Sequence, residues 1–406
     1  MGEDRISELP DPLIHSILSF LPTFYVVRMS ILSKRWRRMW IHISELYFEE
    51  FKDLTFQKTV KSQESMFFTF VSNYLRHRKL SMPYSADAVF VTRFKLDMQY
   101  HFGSKTGEQI DDWLSIAVEG NVKELDLCIQ PSDKRYYCLP RSVLNSRSLT
   151  ILKLERLKLE ITSPASLPSL KGLCLKYVEF DDEAFRYLIS GCTSIEDFHL
   201  CVCSVRDIHL AVGGTLRSLS LWYMKLTNQK LQGLVCGLPL LEKLTLYSCQ
   251  LSNVSIHSRS LKSLWFSGCS IEAKFKTPNL VHFVFEGQVK ATISIDAPKL
   301  LEANLKLHNL CPDKTSFLHL ILFLSYFKCL KKMTLSLDTY GFLKECLIVP
   351  KVIRNICCPP LPTLKQLKVK INHELVGDSE VRDSLLWCAP SVENFEIENQ
   401  YCPCYH

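Results

Sequence analysis

An apolar pattern recurs along most of this chain, and it constrains the fold more than any other feature. The pattern is apolar-x-x-apolar-x-apolar, as in Leu149, Leu152 and Leu154, and successive starts are 19 to 34 residues apart. Its second half places alternate side chains on one side, which is the geometry of a short strand with one buried face. The pattern starts at Val91, Val122, Leu149, Leu170, Ile195, Leu216, Leu241, Leu261, Leu280, Leu300, Leu330, Leu364 and Val392.

A single repeat of this length cannot bury its own leucines, so neighbouring repeats must stack and share one core. Most starts are 20 to 31 residues apart, which is the period of leucine-rich repeats. The prediction is an α/β solenoid with a parallel sheet on its concave side and helices or irregular segments on its convex side. Helices fit the longer repeats, whereas the short return segments between residues 241 and 300 should be extended or a single turn.

The N-terminal segment 4–48 has a helical period instead. Three candidate capping residues divide it into three short helices: Asp11, Thr23 and Ser33. A segment of some forty residues is too small to bury all of its apolar surface. The remaining apolar stripe is therefore either a docking face for a partner or a face that packs on the rest of the chain.

The same segment contains LPDPLIHSILSFLPT and then VVRMSILSKRWRRMW, with two LP pairs, LSKRWR and a closing tryptophan in register. In this order the residues resemble the F-box of plant F-box/leucine-rich-repeat proteins. The resemblance implies binding to a Skp-type adaptor, which bridges to a cullin and a RING subunit in a ubiquitin ligase. Trp36 and Trp40 are expected to serve the core of the segment itself. The positions that the resemblance assigns to the adaptor are Leu9, Pro10, Ile14, Ile17, Leu18, Leu21, Val26 and Val27.

These patterns predict three parts in the chain. The F-box occupies residues 4–48, a helical linker occupies 49–88, and the leucine-rich-repeat domain occupies 89–400. Within the linker, apolar spacing predicts a helix from Gln63 to Arg78. Residues 361–399 resemble the FBD segment of plant F-box proteins and are interpreted as the last two repeats.

The sequence contains no motif of catalytic or metal chemistry. Nucleophile-elbow, P-loop, dinucleotide-binding and C-x-x-C spacings do not occur, and His373-Glu374 lacks the second histidine of a zinc protease. The 17 cysteines are odd in number and scattered, which is typical of reduced thiols used as small core residues. We therefore expect no enzyme activity, no cofactor and no metal.

Charge and hydropathy limit the expected partners and location. The net charge of +7 is mild for this length, so nucleic acid is an unlikely partner by composition. The longest apolar run, residues 317–327, is too short to cross a bilayer, and the N-terminus has no apolar signal core. These features predict a protein of the nucleus or cytoplasm with no membrane partner.

The predicted strand register also defines a candidate substrate site on the concave face. Trp222 and Tyr247 occupy one column on adjacent strands, Trp265 lies one column over on the next strand, and Lys243 lies at the rim. Aromatic side chains are common anchors of protein interfaces. The alternative is that a neighbouring loop or return segment covers the rings. A second candidate is the lysine-rich stretch 328–370, which could bind an acidic or phosphorylated segment but is more simply a solvated face.

The function predicted from these features is that of a substrate-recognition subunit of a Skp–cullin–F-box ubiquitin ligase. The F-box would bind the adaptor, and the repeats would bind a substrate protein. Two alternatives remain open, namely a repeat scaffold and a small-molecule-gated receptor, both acting outside a ligase. An adaptor pull-down distinguishes the first two hypotheses, because a ligase subunit must bind the adaptor and a scaffold need not.

Overall fold

The structure is a computed structural model, and it forms two compact units, Met1–Arg206 (unit 1) and Asp207–His406 (unit 2). Each unit is described by itself. The described residues are 9–32, 34–36, 40, 43–50, 60–81, 91–101, 104–203, 208, 214–251, 253–268, 272–308, 316–337, 347–371 and 373–399.

Unit 1 contains a parallel sheet whose strands follow one another in chain order, each paired with the next. Buried and outward side chains alternate along each strand, so the leucines of neighbouring repeats stack behind the sheet. The strands are β1 (Glu45–Glu49), β2 (Arg93–Tyr100), β3 (Glu124–Pro131), β4 (Ile151–Glu155), β5 (Gly172–Lys176) and β6 (Asp197–Cys201).

The helices of unit 1 precede the sheet or connect its strands. Their bounds are α1 (Asp11–Ser19), α2 (Thr23–Met29), α3 (Val60–Ser81), α4 (Ser104–Glu119), α5 (Arg141–Leu144) and α6 (Asp182–Ser190). The predicted linker helix from Gln63 to Arg78 is confirmed, since it lies within α3.

Strand β1 was not predicted, although its sequence carries the repeat pattern in Ile43, Leu46 and Phe48. Leu46 and Phe48 are each 1% exposed, and β1 pairs in parallel with β2. The backbone N–H of Tyr47 donates to the hydroxyl of Thr23 on α2 at 2.9 Å. The first strand of the sheet therefore follows the N-terminal helices directly and is hydrogen-bonded to one of them.

Helix α3 covers the beginning of this sheet and also contacts the N-terminal segment. The rings of Phe68 and Trp113 lie 5.0 Å apart, and the indole N–H of Trp113 donates to Ser72 at 3.0 Å. Arg78 is completely buried and donates to the Tyr74 hydroxyl at 3.2 Å, while that hydroxyl donates to the carbonyl of Trp40, also at 3.2 Å. The segment between the F-box and the later repeats is thus an integral part of unit 1.

Unit 2 contains two parallel sheets. Its strands are β7 (Ser218–Trp222), β8 (Lys243–Cys249), β9 (Asn253–His257), β10 (Ser263–Gly268), β11 (Glu272–Lys276), β12 (His282–Gln288), β13 (Thr292–Asp296), β14 (Glu302–His308), β15 (Lys332–Leu337), β16 (Gln366–Ile371) and β17 (Asn394–Asn399). Strands β9, β11 and β13 form a small sheet, and the other eight form the main sheet in chain order. The prediction of extended return segments between residues 241 and 300 is confirmed, but their pairing into a second sheet was not predicted.

The helices of unit 2 lie between strands of the main sheet in the longer repeats. They are α7 (Asn228–Cys236), α8 (Ser316–Ser325), α9 (Lys351–Ile356), α10 (His373–Val376) and α11 (Ser379–Cys388). Within the described part of the chain, every helix is too short or too polar to cross a bilayer.

All thirteen strands expected from the apolar pattern are present as β2–β8, β10, β12 and β14–β17. Asp181 caps α6 as predicted, since its carboxylate accepts from the N–H of Ala184 at 2.7 Å. The predicted caps at Asp11 and Thr23 are wrong, because both residues lie inside their helices and use their side chains for other partners. The predicted cap at Ser33 lies outside the described residues.

Candidate functional site

The N-terminal helices form a small apolar core of their own. Its buried residues are Ile14, Leu18, Val26, Trp36 and Ile43, and Leu9, Leu21, Met29 and Trp40 pack against them. The expectation that Trp36 and Trp40 serve this core is confirmed. Three positions assigned to the adaptor face need correction, because Ile14, Leu18 and Val26 are between 0% and 3% exposed and face the core.

The exposed apolar surface of this segment is offset from the predicted stripe. Leu13 and Ile17 on α1, and Phe20 directly after it, are 53%, 46% and 82% exposed, and their i, i+4, i+7 spacing places them on one face. Ile31 and Leu32 follow α2 and are 81% and 60% exposed. We call these five residues the F-box apolar face. Of the predicted positions, Ile17 belongs to this face, Pro10 is exposed, and Leu9, Leu21 and Val27 are half-buried.

An ion pair holds the start of α1 against the segment that follows α2. The Arg35 guanidinium donates through Nε to the Asp11 carboxylate at 3.0 Å and through Nη2 to the carbonyl of Leu9 at 2.6 Å. Both acceptors lie at the start of α1, and one guanidinium binds both of them. Arg35 therefore links the start of α1 to the segment that follows α2.

The second candidate site lies on the open face of the main sheet in unit 2, opposite the buried leucines. Trp222 of β7 pairs in register with Tyr247 of β8. Trp265 of β10 pairs with Thr245, which lies two residues before Tyr247 on the same face of β8. The Trp222 and Tyr247 ring centroids are 5.0 Å apart, and Trp265 lies 6.3 Å from Trp222 and 6.1 Å from Tyr247. The structure therefore brings together the three rings that the sequence placed on this face.

A fourth ring, Tyr223, joins this group and was missed in the sequence. It lies 5.5 Å from Tyr247, nearly perpendicular to it, and is 49% exposed. Its φ of 53° is in the left-handed region, and its N–H donates to the carbonyl of Tyr247 at 2.9 Å. A tyrosine that is both exposed and held in this conformation costs stability relative to glycine. We call Trp222, Tyr223, Tyr247 and Trp265 the aromatic cluster.

The aromatic cluster remains open to solvent. Trp222, Tyr247 and Trp265 are half-buried, whereas Ser267, which pairs with Tyr247, is only 6% exposed. Lys243 is exposed on β8, four residues before Tyr247 on the same face. The rings keep part of their surface exposed, whereas the Nε1 atoms of Trp222 and Trp265 are buried, so the choice between an interface and rings covered by a neighbouring segment stays a prediction.

Three lysines of the stretch 328–370 pair with carboxylates of neighbouring repeats. Lys332 pairs with Glu302 at 3.0 Å, Lys365 with Glu393 at 2.6 Å and Lys368 with Glu398 at 2.6 Å. Two of these partners lie on β14 and β17, outside the stretch that was counted in the sequence. The interpretation as a solvated face is favoured over an anion-binding patch.

Among the described cysteines, five are buried and four are exposed. The buried ones are Cys192, Cys201, Cys203, Cys249 and Cys388, and the exposed ones are Cys138, Cys236, Cys329 and Cys358. Burial raises the pKa of the Cys174 thiol to about 11 and that of Cys192 to about 12, whereas a nucleophilic cysteine needs a lowered pKa. Among the described residues, no group of three or more His, Cys, Asp or Glu side chains is arranged to hold a metal ion. The Cys402, Cys404 and His406 tail lies outside the described residues.

Three protein-family models match the chain in separate segments. The F-box domain matches residues 6–44, the LRR domain of At1g61320/AtMIF1 matches 85–209, and the LRR repeats of the FBD-associated F-box protein At5g56370 match 214–303. Relatives from Arabidopsis thaliana carry the same combination. The putative F-box/FBD/LRR-repeat protein At4g00315 is 33% identical over 48% of this chain, and the putative F-box/FBD/LRR-repeat protein At1g66290 is 30% identical over 67% of it.

The chain belongs to the plant F-box/leucine-rich-repeat proteins. The F-box model ends at residue 44, immediately before β1, which agrees with β1 being a strand of the repeat sheet. The aligned part of this F-box/leucine-rich-repeat protein spans 42% of the length of At4g00315 and 56% of that of At1g66290. The boundaries 4–48, 49–88 and 89–400, and the FBD resemblance of 361–399, stay predictions.

Among solved structures, a crystal structure of a TLR13–ssRNA13 complex is similar over 72% of this F-box/leucine-rich-repeat protein and 48% of that chain. The TM-score is 0.38 and the sequence identity 14%. At this level of similarity, neither fold nor function is inferred from the receptor.

Proposed function

We propose that this protein is a substrate-recognition subunit of a Skp–cullin–F-box ubiquitin ligase. The observation that carries the proposal is the F-box apolar face, which is exposed on a segment that matches the F-box domain. Five large apolar side chains exposed on one small domain favour a docking site for a partner protein. In this proposal the partner is a Skp-type adaptor, and through it a cullin and a RING subunit.

The second half of the proposal concerns the substrate. The aromatic cluster offers large rings on a rigid sheet, and such side chains supply most of the binding energy in many protein interfaces. The protein would hold its substrate there and contribute to ubiquitin transfer only by proximity, without a catalytic residue, cofactor or metal of its own. The protein would act in the nucleus or cytoplasm.

Unit 1 supports the adaptor role through the way its F-box is attached. The hydrogen bond from Tyr47 to Thr23 and the chain of contacts from Trp40 through Tyr74 to Arg78 join the N-terminal helices to β1 and α3. Phe48 on β1 also lies with its ring 5.6 Å from Phe94 on β2. An adaptor bound to the F-box would therefore be held in a fixed orientation relative to the first repeats.

Adaptor capture by variants of the full chain tests the proposal. Ile17→Asp combined with Phe20→Asp places two charges on the F-box apolar face, and we expect capture of a purified Skp-type adaptor to fall about 30-fold or more. The melting temperature should change little, because both side chains are exposed. Leu301→Asp is the matched control, since Leu301 is 53% exposed in unit 2, and it should keep full capture.

If the Ile17→Asp, Phe20→Asp variant captures the adaptor at full strength, the F-box apolar face is not the adaptor-binding site. Failure of the unaltered chain to capture any Skp-type adaptor would contradict ligase membership itself.

A further inference from the structure

The open face around the aromatic cluster differs in charge from its surroundings in unit 2. Strands β7, β8 and β10 present nine side chains on this face, and Lys243 is the one charged residue among them. Three of the others are rings of the aromatic cluster. The remaining five carry hydroxyl groups: Ser218, Ser220, Thr245, Ser263 and Ser267.

The next strands of the same sheet present carboxylates that are already paired. Glu286 on β12 lies 3.7 Å from Lys306 and 3.4 Å from His308, and Glu302 on β14 pairs with Lys332. In contrast, no described carboxylate lies within 4 Å of the Lys243 ammonium. The nearby Glu242 pairs with Arg217 and Lys262 instead. The face on β7, β8 and β10 thus combines half-buried rings, hydroxyls and a lysine ammonium with no described carboxylate beside it.

We propose that the aromatic cluster and Lys243 bind an acidic peptide segment that carries a bulky apolar side chain. The apolar side chain would pack on the rings, and the segment's Asp or Glu carboxylate would pair with Lys243. The half-buried hydroxyls of Ser218, Ser220, Thr245 and Ser263 would hydrogen-bond its backbone. Surfaces rich in Tyr, Trp and Ser suit peptide recognition because they offer contact area and adaptable hydrogen bonds at low entropic cost. The inference rests on the proposed function, since it names the substrate class of the same site.

Charge complementarity decides between acidic and basic segments. A basic segment would meet Lys243 without any carboxylate on the nine positions to compensate it, and like charges brought together disfavour association. Tyr223 adds a fourth ring beside this face. Its left-handed φ is shared by Arg156, Tyr177 and Val202, which also directly follow strands, so this backbone conformation is a feature of the repeats.

Selection from a random peptide library on the immobilised full chain tests the inference. We expect enriched peptides to combine a Leu, Phe or Trp with Asp or Glu, and to be depleted of Lys and Arg. Trp265→Ala should weaken the binding of a selected peptide about 30-fold. Tyr326→Ala is the matched control. Tyr326 directly follows α8 and is 39% exposed, and its substitution should leave binding unchanged.

A charge reversal makes the test sharper. Lys243→Glu should change the selected charge from Asp and Glu to Lys and Arg, whereas Lys290→Glu, in the turn between β12 and β13, should select the same acidic peptides as the unaltered chain. Enrichment of basic or uncharged peptides, no enrichment by the folded chain, or no response to Lys243→Glu would each overturn the inference. A selected peptide that binds about tenfold tighter with phosphoserine in place of its Glu would assign the site to a modified segment instead.

The adaptor assay separates this inference from the proposed function. If the peptide experiment fails while the unaltered chain still captures a Skp-type adaptor, the substrate class is wrong and the ligase role stands. If acidic peptides are selected but no adaptor is captured, the site is right and the ligase role is wrong.

Discussion

At the scale of single residues, position 191 requires glycine because two backbone segments approach each other closely there. It ends α6, and a Cβ added there would overlap the carbonyl oxygen and carbon of Ala165. The Gly191 carbonyl accepts from the N–H of Leu167 at 3.1 Å, and Ala165 donates to the carbonyl of Tyr187, also at 3.1 Å. The segment after β4 is thereby held against the end of α6, with no space for a side chain.

Gly191→Ala should therefore destabilise unit 1 by about 1–3 kcal/mol, because backbone atoms must move to admit the methyl group. Gly233→Ala is the matched control. It lies inside α7 with nothing within 4 Å of the added Cβ, so it should stabilise the chain by about 0.5–1 kcal/mol. Thermal unfolding monitored by circular dichroism measures both changes. Equal effects of the two substitutions would contradict this account.

Single positions in the repeats could be predicted from the sequence, whereas in the F-box only some of them could. The period of the strand pattern fixes which residues point inward, and Leu219 and Leu244 are accordingly 0% and 1% exposed. On α1 the apolar residues cover more than one face, so the buried face depends on how the N-terminal helices pack together. Ile14 is consequently buried, whereas Phe20, which was not predicted, is exposed.

At the scale of elements, the contact between α2 and β1 determines how the F-box is attached to the sheet. Thr23 is 3% exposed, and its hydroxyl accepts the N–H of Tyr47. A threonine at the start of a helix is normally expected to cap that helix. In this protein it instead satisfies the backbone of the neighbouring strand.

Thr23→Val should leave the Tyr47 N–H without its acceptor and reduce stability by about 1–3 kcal/mol. Hydrogen exchange of the Tyr47 amide should accelerate, and the melting temperature should fall. Thr69→Val is the control, because the exposed Thr69 hydroxyl only donates to the Ser65 carbonyl within α3. Unchanged exchange at Tyr47 would show that the contact does not hold β1 in place.

The small sheet of β9, β11 and β13 contains strand pairing that could not be predicted from the sequence. Short return segments predicted an extended conformation, and this was correct. The pairing of Val254 with Ala273, and of Ala273 with Ile293, depends on the spacing of stacked repeats. That spacing is a property of the assembled core, so no local pattern in residues 253–296 predicts it.

At the scale of the molecule, the compact unit that contains the F-box also contains the first repeats. Phe94 on β2 is 0% exposed and Trp113 on α4 is 2% exposed, and both are covered by side chains of β1 and α3. The repeat boundary at residue 89, taken from the sequence, leaves both elements outside the repeat domain. Removal of β1 and α3 would expose a large aromatic surface.

A fragment of residues 89–406 should accordingly lose about 5 kcal/mol or more of stability in its first repeats, since several large apolar side chains become exposed. A fragment of residues 43–406 keeps β1 and α3 and should lose much less. Limited proteolysis and thermal unfolding of the two fragments compare them directly. Equal resistance of β2 and α4 to proteolysis in both fragments would contradict the assignment of β1 and α3 to the repeat core.

The sequential pairing of the strands has a consequence for the growing polypeptide. Within each unit, every strand of the main sheet after the first pairs with a strand that the ribosome has already made, and β9, β11 and β13 also pair in order of synthesis. The loops that must close are therefore short, which favours rapid folding. A nascent chain can add one repeat at a time to an existing edge, so only its newest strand is exposed to aggregation during translation.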